Sequence, residues 1–587
     1  MTSQRRLVRL LAGDRLFWAG GGIAVLAGVG LALSRAWVCD DAFISFRYAV
    51  NLVRGHGLVY NAGERVEGYT NFLWTLAMVP GVWLGVDLER WSVVWGLLFY
   101  ATTLALLVGY GHRRSRDLAR PALPIAALVG AACVDWANYA TSGLETSLFT
   151  CLVLAGFLAL SSERPGTWTL PAAGATFALA ALTRPEGVLV FAVGLGFVLW
   201  CQRPLARALL RYAAAFAVLW IPPTAWRIWY YGDYVPNTYY AKSAYLAWYE
   251  QGFHYLALYV RGYWPLALGA VLGIAALVIR LRDAPGGGPA WRIVDGARLD
   301  ATARRLALAL ALTISYTLYL ARVGGDFMYA RMLIPVTPLL LVLLEEGLAG
   351  LLVPRPWTRL GVTAAVILAL VVTPRPVTGR QWVHGVADEW DYYVNVRKTW
   401  AAENREHGRI LHRYFAGLPV GIAFGGSEAG FVYYADPAVA VESATGLTDA
   451  TIAHQALAVR GRPGHEKLAS LDYLVRVRRL HFLFNRSLSQ RLLVDKALPN
   501  MPVDFDGVWG WMLRWDPEVM AALAARGARF PDVPALIDQY VARLSEADDA
   551  SVSDAYRRLK TFYFDHVADE AREAPFLARI APRPSRP

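Results

Sequence analysis

Eleven apolar runs occupy the first two thirds of this chain, and they restrict its fold more than any other feature. They lie at roughly 18–34, 91–111, 121–135, 147–160, 168–182, 187–201, 212–226, 262–279, 306–321, 332–353 and 361–375. About 20 mostly apolar residues are needed for a helix to cross a bilayer, and fewer suffice where neighbouring helices shield it. A twelfth run, 72–86, is short and carries Pro80. With 56% hydrophobic residues over 587 positions, a soluble multidomain protein is excluded and a polytopic α-helical membrane protein is expected.

Lys and Arg decide the orientation, because they are retained on the cytoplasmic side. If 72–86 does not cross, the segments on the N-terminal side of the membrane are about three times as dense in Lys and Arg as those opposite. Letting it cross reverses every later loop, so 72–86 is read as interfacial or re-entrant. The N-terminus is then cytoplasmic and an uncleaved first anchor. The first outer loop is 35–90, and an odd number of spans leaves the C-terminal part outside as well.

The net charge of +12 accordingly reads as a topology signal and an affinity for membrane lipid, with no nucleic-acid partner expected. Cys39, Cys133, Cys151 and Cys201 show no metal-ligand spacing and no disulfide framework. The predicted domains are 1–375, membrane-embedded, and 376–587, a soluble extracytoplasmic α/β domain. In the latter, LPVGIAFGG and DYLVRVRRLHFLF read as strands, and PDVPALIDQYVARLSEADDASVSDAYRRLKTFYFDHV as amphipathic helix. GGSEAG at 425–430 lacks the Lys-Ser/Thr of a P-loop and reads as a turn. APGGGPA at 284–290 reads as a flexible inner loop, and the Trp-rich GVWGWMLRW at 507–515 as core or as a sugar-stacking face.

The outer loops collect charge of both signs. The first holds Asp40, Asp41, Arg47, Tyr48, His56 and Glu67. Later ones hold Glu145 in SGLET, Arg184 and Glu186 in TRPEG, and Asp233, Asn237, Tyr239 and Lys242 in YGDYVPNTYYAK. Asp326 and Arg331 follow in GGDFMYAR. Ionisable groups at membrane depth are costly unless they pair or face water, so such clustering marks a cavity. An Asp before AFISFRYAVNLVR, with Gly55 after it, suits a helix N-cap and stop. A cap accounts for one of the paired aspartates and leaves the other for binding or catalysis. On that helix Asp41, Ser45 and Tyr48 share a face. Lys242 reads either as a snorkelling cation or as a point charge for a lipid-linked phosphate. Pro185, Pro236, Pro335 and Gly324-Gly325 read equally as helix ends and turns, and the tyrosines from Tyr230 to Tyr240 as an interfacial girdle.

The run CDDAFISFRYAVNLVRGHGLVYNAGERVEGYTNFLW, followed downstream by YGDYVPNTYYAK, GGDFMYARMLIP and GLTDATIAHQALAVRGRPGHEK, resembles the GT-C membrane glycosyltransferases. Within them it is closest to the AftB-like terminal beta-(1->2)-arabinofuranosyltransferases. The resemblance implies a GT-C fold with about 11 transmembrane helices and a polyprenyl-phosphate sugar donor, decaprenyl-phosphate arabinofuranose or a related pentofuranose. It also implies transfer at the outer face of a bacterial cytoplasmic membrane. Asp40 and Asp41 map onto the family's aspartate-bearing first loop. Asp233, Asn237, Lys242, Asp326 and Arg331 map onto its donor cavity, and Asp449, His454, His465 and Glu466 lie in the matching part of the C-terminal domain. The acceptor, whether polysaccharide, lipid-linked glycan or surface protein, does not follow from the resemblance.

The chemistry suits these residues independently. Sugar transfer from a phosphodiester needs a carboxylate to take the acceptor's proton, and cations or a metal to stabilise the departing phosphate. Asp41 is the expected base. Asp40 would position it, or the two would share a divalent cation such as Mg, Mn or Ca. Arg331, Arg184 and Lys242 are the expected phosphate partners. The rival readings are a GT-C protein mannosyltransferase or oligosaccharyltransferase and, in another class, a membrane transporter, although no sequence symmetry between halves supports transport.

Overall fold

The computed structural model describes residues 3–117, 123–162, 168–283, 296–351, 356–426, 428–457, 459–484, 498–499 and 501–581. The chain divides into two compact units. The first comprises Met1–Val53, Tyr69–Pro236 and Ala244–Lys398; the second comprises Arg54–Gly68, Asn237–Ser243 and Thr399–Pro587.

The first unit is a helical bundle. Its elements are α1 (Ser3–Ser34), α2 (Ala42–Val53), α3 (Phe72–Trp83), α4 (Leu88–Asp117), α5 (Ile125–Ala131), α6 (Val134–Ala140), α7 (Thr146–Leu160), α8 (Thr169–Thr183), α9 (Gly187–Cys201) and α10 (Leu205–Tyr231). The short α11 (Asn237–Ala241) belongs to the second unit. The bundle resumes with α12 (Tyr249–Gly262), α13 (Trp264–Asp283), α14 (Ala301–Val323), α15 (Thr337–Leu351) and α16 (Pro356–Val372). Among the described residues each of the eleven apolar runs lies largely on helix, and six stretches are long and apolar enough to cross a membrane: Arg15–Ser34, Leu88–Arg114, Leu205–Tyr231, Trp264–Arg282, Ala301–Val323 and Arg331–Ala349.

The other five runs fall short for physical reasons. α7, α8 and α9 have 15 residues each and at about 1.5 Å per residue are shorter than a hydrocarbon core of about 30 Å, a length tolerated where neighbouring helices shield them. α16, on the 361–375 run, is only slightly longer. The run at 121–135 is split into α5 and the start of α6 by a break at Ala132 and Cys133. Segment 72–86 forms the short α3 with Pro80 inside it.

Burial orders the bundle. The Arg331–Ala349 stretch is 94% buried and forms its centre, whereas Leu205–Tyr231 is 17% buried and presents apolar side chains outward, as a lipid-facing helix does. α10 nevertheless packs closely on α8. A Cβ on Gly174 would stand 2.1 Å from the Tyr212 carbonyl oxygen, so only glycine permits that approach. The apolar run 332–353 hides a charged lock in the second half of α15. Glu346 takes Arg114 at 3.0 Å, Arg305 at 3.3 Å and the Tyr110 hydroxyl at 2.5 Å, while Glu345 accepts the Ala126 N–H at 3.0 Å. Buried carboxylates are tolerated there because each is met by donors.

The second unit contains a five-stranded sheet of order β2-β1-β3-β5-β4, from β1 (Gly421–Phe424), β2 (Val439–Glu442), β3 (Phe482–Leu483), β4 (Pro502–Phe505) and β5 (Val508–Met512). β1 pairs parallel with β2 and β3, and β5 pairs antiparallel with β3 and β4. LPVGIAFGG supplies β1 as expected. DYLVRVRRLHFLF corrects the strand reading: Tyr473–Val477 is a π-helical turn, and only Phe482–Leu483 pairs. The long amphipathic segment forms Val533–Ala542 and Asp549–Leu559, each opened by an aspartate that caps it, Asp532 and Asp548. In GVWGWMLRW the strand alternation leaves Trp509 61% exposed while Trp515 is buried against Phe530, so the cluster is not uniformly core. Gly426, in GGSEAG, has φ +66 and makes the turn; Ser427 and the APGGGPA segment lie outside the described residues. The four cysteines are buried and free.

Candidate active site

Three helix beginnings and one helix end converge in the first unit, and each carries a charge suited to it. Asp41 immediately precedes α2, Glu145 precedes α7 and Glu186 precedes α9, while Arg184 closes α8. Helix N-termini favour carboxylates and C-termini favour cations, so the local charges are placed where backbone dipoles support them.

The loop of Glu145 is fixed beside the paired aspartates by backbone. Cys39 N–H donates to the Ser142 carbonyl at 2.8 Å. Gly143 takes φ +76, its carbonyl accepts from Trp74 Nε1 at 2.9 Å, and a Cβ there would lie 2.9 Å from that of Ala42. The Phe43 and Ile44 N–H groups donate back to the Asp40 and Asp41 carbonyls, starting α2, and Gly55 at φ +83 follows its end. Asp40 is buried and Asp41 half-buried. The Asp41 carboxylate acts electrostatically on the Arg331 guanidinium.

Arg331 is 8% exposed, with Glu145 Oε1 at 3.2 Å and Asp326 Oδ2 at 3.5 Å. Glu145 Oε1 also takes Arg184 at 2.6 Å, and Glu186 holds Arg184 through both carboxylate oxygens, at 2.9 and 3.3 Å. The second Glu145 oxygen accepts from Asn71 Nδ2 at 3.0 Å; Asn71 in turn bonds Ser45 and Thr75. Burial by itself would raise the Glu145 pKa, but the guanidinium groups of Arg331 and Arg184 overcome it and hold the carboxyl at about 2. Glu145 is therefore a fixed anion that aims two arginines.

The expected site residues divide between the units. Asp40, Asp41, Arg47, Tyr48, Glu145, Arg184, Glu186, Asp233, Asp326 and Arg331 lie in the first. Arg47 is buried on α2, and Tyr48 lies edge-on to Tyr69 at 4.7 Å. Asp233 accepts the Val235 N–H at 3.2 Å in the turn after α10. Ser45, on the expected polar face of α2, turns to Asn71.

His56, Glu67, Asn237, Tyr239, Lys242, Asp449, His454, His465 and Glu466 lie in the second unit. His56 is exposed, and the Glu67 carbonyl accepts the Asn237 N–H at 3.0 Å. Asn237 donates from its amide to the carbonyls of Gly446 and Leu447 at 2.9 and 2.8 Å, and Tyr239 stands 36% exposed. Lys242 is exposed, its methylenes alongside Gly464. Asp449 caps Ala450–Ala453 and accepts the Tyr473 hydroxyl at 2.9 Å, with Arg478 bridging it to Glu64. His454 packs on Tyr240, His465 bonds the Pro463 carbonyl, and Glu466 pairs with Arg460 at 3.0 Å. These contacts hold the unit's own loops in place.

Among the described residues no group of three or more His, Cys, Asp or Glu is arranged to hold a metal ion. Asn71 and Thr75 were not singled out from sequence. Their signal was an amide and a hydroxyl four residues apart at the start of an otherwise apolar helix.

The fold defines the class. The chain superposes on the crystal structure of ArnT from Cupriavidus metallidurans bound to undecaprenyl phosphate with a TM-score of 0.53 and 14% sequence identity, covering 84% of this chain and 97% of that one. The architecture is thus that of a GT-C membrane protein. In sequence the chain is similar to the terminal beta-(1->2)-arabinofuranosyltransferases of Mycobacterium tuberculosis, at 32% identity over 355 residues, and of Corynebacterium glutamicum, at 31% over 423. These matches take in 57% and 66% of this chain, which spans little more than half the length of the two relatives, 55% and 58%. No family model matches it.

Proposed function

We propose that this protein is a glycosyltransferase of the outer face of a bacterial cytoplasmic membrane. It moves arabinofuranose from a polyprenyl-phosphate donor to a cell-envelope glycan. The observation that carries this reading is the cluster of Arg331, Glu145 and Arg184, whose Glu145 loop packs against the start of α2, where Asp41 lies. The similarity to arabinofuranosyltransferases supports the sugar, and the undecaprenyl phosphate bound by ArnT supports the lipid carrier.

In the proposed reaction the Asp41 carboxylate takes the proton of the acceptor hydroxyl. The freed oxygen attacks the anomeric carbon, the bond from that carbon to the phosphate oxygen breaks, and the lipid phosphate leaves with the electron pair. Arg331, aimed by Glu145, faces the developing negative charge. Arg184 is held by two carboxylates and acts chiefly by fixing Glu145. Lys242 is a further cation to test. Chelation followed by re-addition of magnesium, manganese or calcium tests whether Asp40 and Asp41 hold a divalent ion as well.

Membranes containing the protein, supplied with radiolabelled polyprenyl-phosphate arabinose or mannose, decide the reading. Loss of arabinose from its lipid into a glycan is the expected result. Loss of mannose into polypeptide would favour a protein mannosyltransferase, and labelled lipid crossing intact would favour transport.

A further inference from the structure

A cavity of about 420 Å³ lies in the first unit, lined by residues that the proposed reaction does not use. Its apolar lip is Leu370 and Val371 at the end of α16, and Val371 is 66% exposed. Behind the lip, Arg375 is clamped between Asp135, at 2.6 Å, and Asp388, and the Tyr263 hydroxyl donates to the other Asp135 oxygen at 2.7 Å.

Arg35 is held differently. Its Nε donates to Asn138 at 2.6 Å and its guanidinium lies 3.4 Å over the Trp390 ring, whose Nε1 donates back to the Arg35 carbonyl at 2.8 Å. The plane is fixed, yet its two terminal nitrogens have no hydrogen-bond partner among the described residues. Both belong to a side chain lining the cavity. Asp391, also on the wall, accepts from Gly379 N–H at 2.6 Å and Asn395 at 2.8 Å, and a carboxylate has room for further donors.

The lining thus carries two guanidiniums and three carboxylates. A simple anion would meet surplus negative charge, and a simple cation would leave the Arg35 donors unused. A ligand with phosphate and ammonium on one short linker satisfies both, and an attached chain would cover the apolar lip. A primary ammonium fits better than a quaternary one, because carboxylates accept N–H bonds and Arg35 already covers one face of Trp390. We propose that this cavity binds the head group of an ethanolamine-type phospholipid. Its phosphodiester oxygens accept from Arg35, its ammonium donates toward Asp391, and its chain runs out over Val371. The proposal does not rest on the transfer reaction.

Native mass spectrometry of the full-length protein, titrated with phosphatidylethanolamine, phosphatidylglycerol and phosphatidylcholine of matched chains, tests this. The ethanolamine lipid is expected to be retained at least about tenfold more tightly than either other. Arg35→Gln should remove that advantage, and Asp391→Asn should erase the preference over phosphatidylglycerol. Val371→Trp changes an exposed residue, so it keeps the test valid if Arg35→Gln does not fold; it should block the lip and weaken retention. Equal or tighter binding of phosphatidylglycerol, or ethanolamine-lipid binding untouched by Val371→Trp and by folded Arg35→Gln, would overturn the proposal. So would equally tight binding of soluble glycerophosphoethanolamine, which has no chain.

Discussion

The Arg331 guanidinium lies 3.2 Å from the Glu145 carboxylate, although 186 positions separate them in the chain. A loop after α6 and the entry to α15 are thereby joined by one buried ion pair, and a second arginine, Arg184, shares the same carboxylate oxygen at 2.6 Å.

Glu145→Gln tests that pair. The amide keeps the shape but leaves two buried guanidiniums short of a counter-charge, which costs about 3–5 kcal/mol when a buried pair is broken. A lower thermal midpoint and slower transfer are expected together. Because the folded carboxyl is held at about 2 against an ordinary 4.5, its contribution is in place above pH 4.5 and is lost as pH falls toward 2. Acid melts of the wild type should therefore lose stability through that window, by about 3 kcal/mol from this group, and Glu145→Gln should lose less.

Gly143→Ala probes how the Glu145 loop is placed. The new methyl would stand 2.9 Å from the Ala42 Cβ at a residue with φ +76. A destabilisation of about 1–3 kcal/mol is expected, with a fall in transfer rate because the start of α2 must shift. Melting and initial-rate measurements on the same preparation check both.

In the second unit, His481 accepts the Gly421 N–H at 3.0 Å where β1 begins. Burial, aided by Arg514, lowers its pKa from 6.5 to about 4. The unfolded chain therefore takes up the proton first as pH falls. Stability from the neutral ring is complete above pH 6.5 and is lost toward pH 4, by about 2 kcal/mol at pH 5. Denaturation of the full-length protein at pH 7 and pH 5 should show that loss, and His481→Gln should reduce it.

Much of this architecture was legible because apolar runs have one stable outcome in a bilayer, and among the described residues each such run is largely helical. Where Ala132 and Cys133 interrupt a helix, or where Glu345 and Glu346 sit buried within the central one, residue type alone gave no warning. The carboxylates are neutralised by partners remote in sequence. DYLVRVRRLHFLF alternates like a strand, yet most of it turns, with Arg478 drawn to Glu64 and Asp449. The charged loops of the site announced themselves by residue type. Their pairing did not, nor did the Asn71 bridge or the Arg35 and Arg375 cavity, because each depends on chain segments that meet only in the fold.

In the proposed reaction Asp41 takes the acceptor's proton, and transfer of radiolabelled arabinose by Asp41→Asn in membranes measures that role. Asp40→Asn serves as the neighbouring control. With protein level and melting point unchanged, Asp41→Asn should slow transfer by about a hundred- to ten-thousandfold. A folded Asp41→Asn protein that transfers sugar at the wild-type rate would rule Asp41 out as the base.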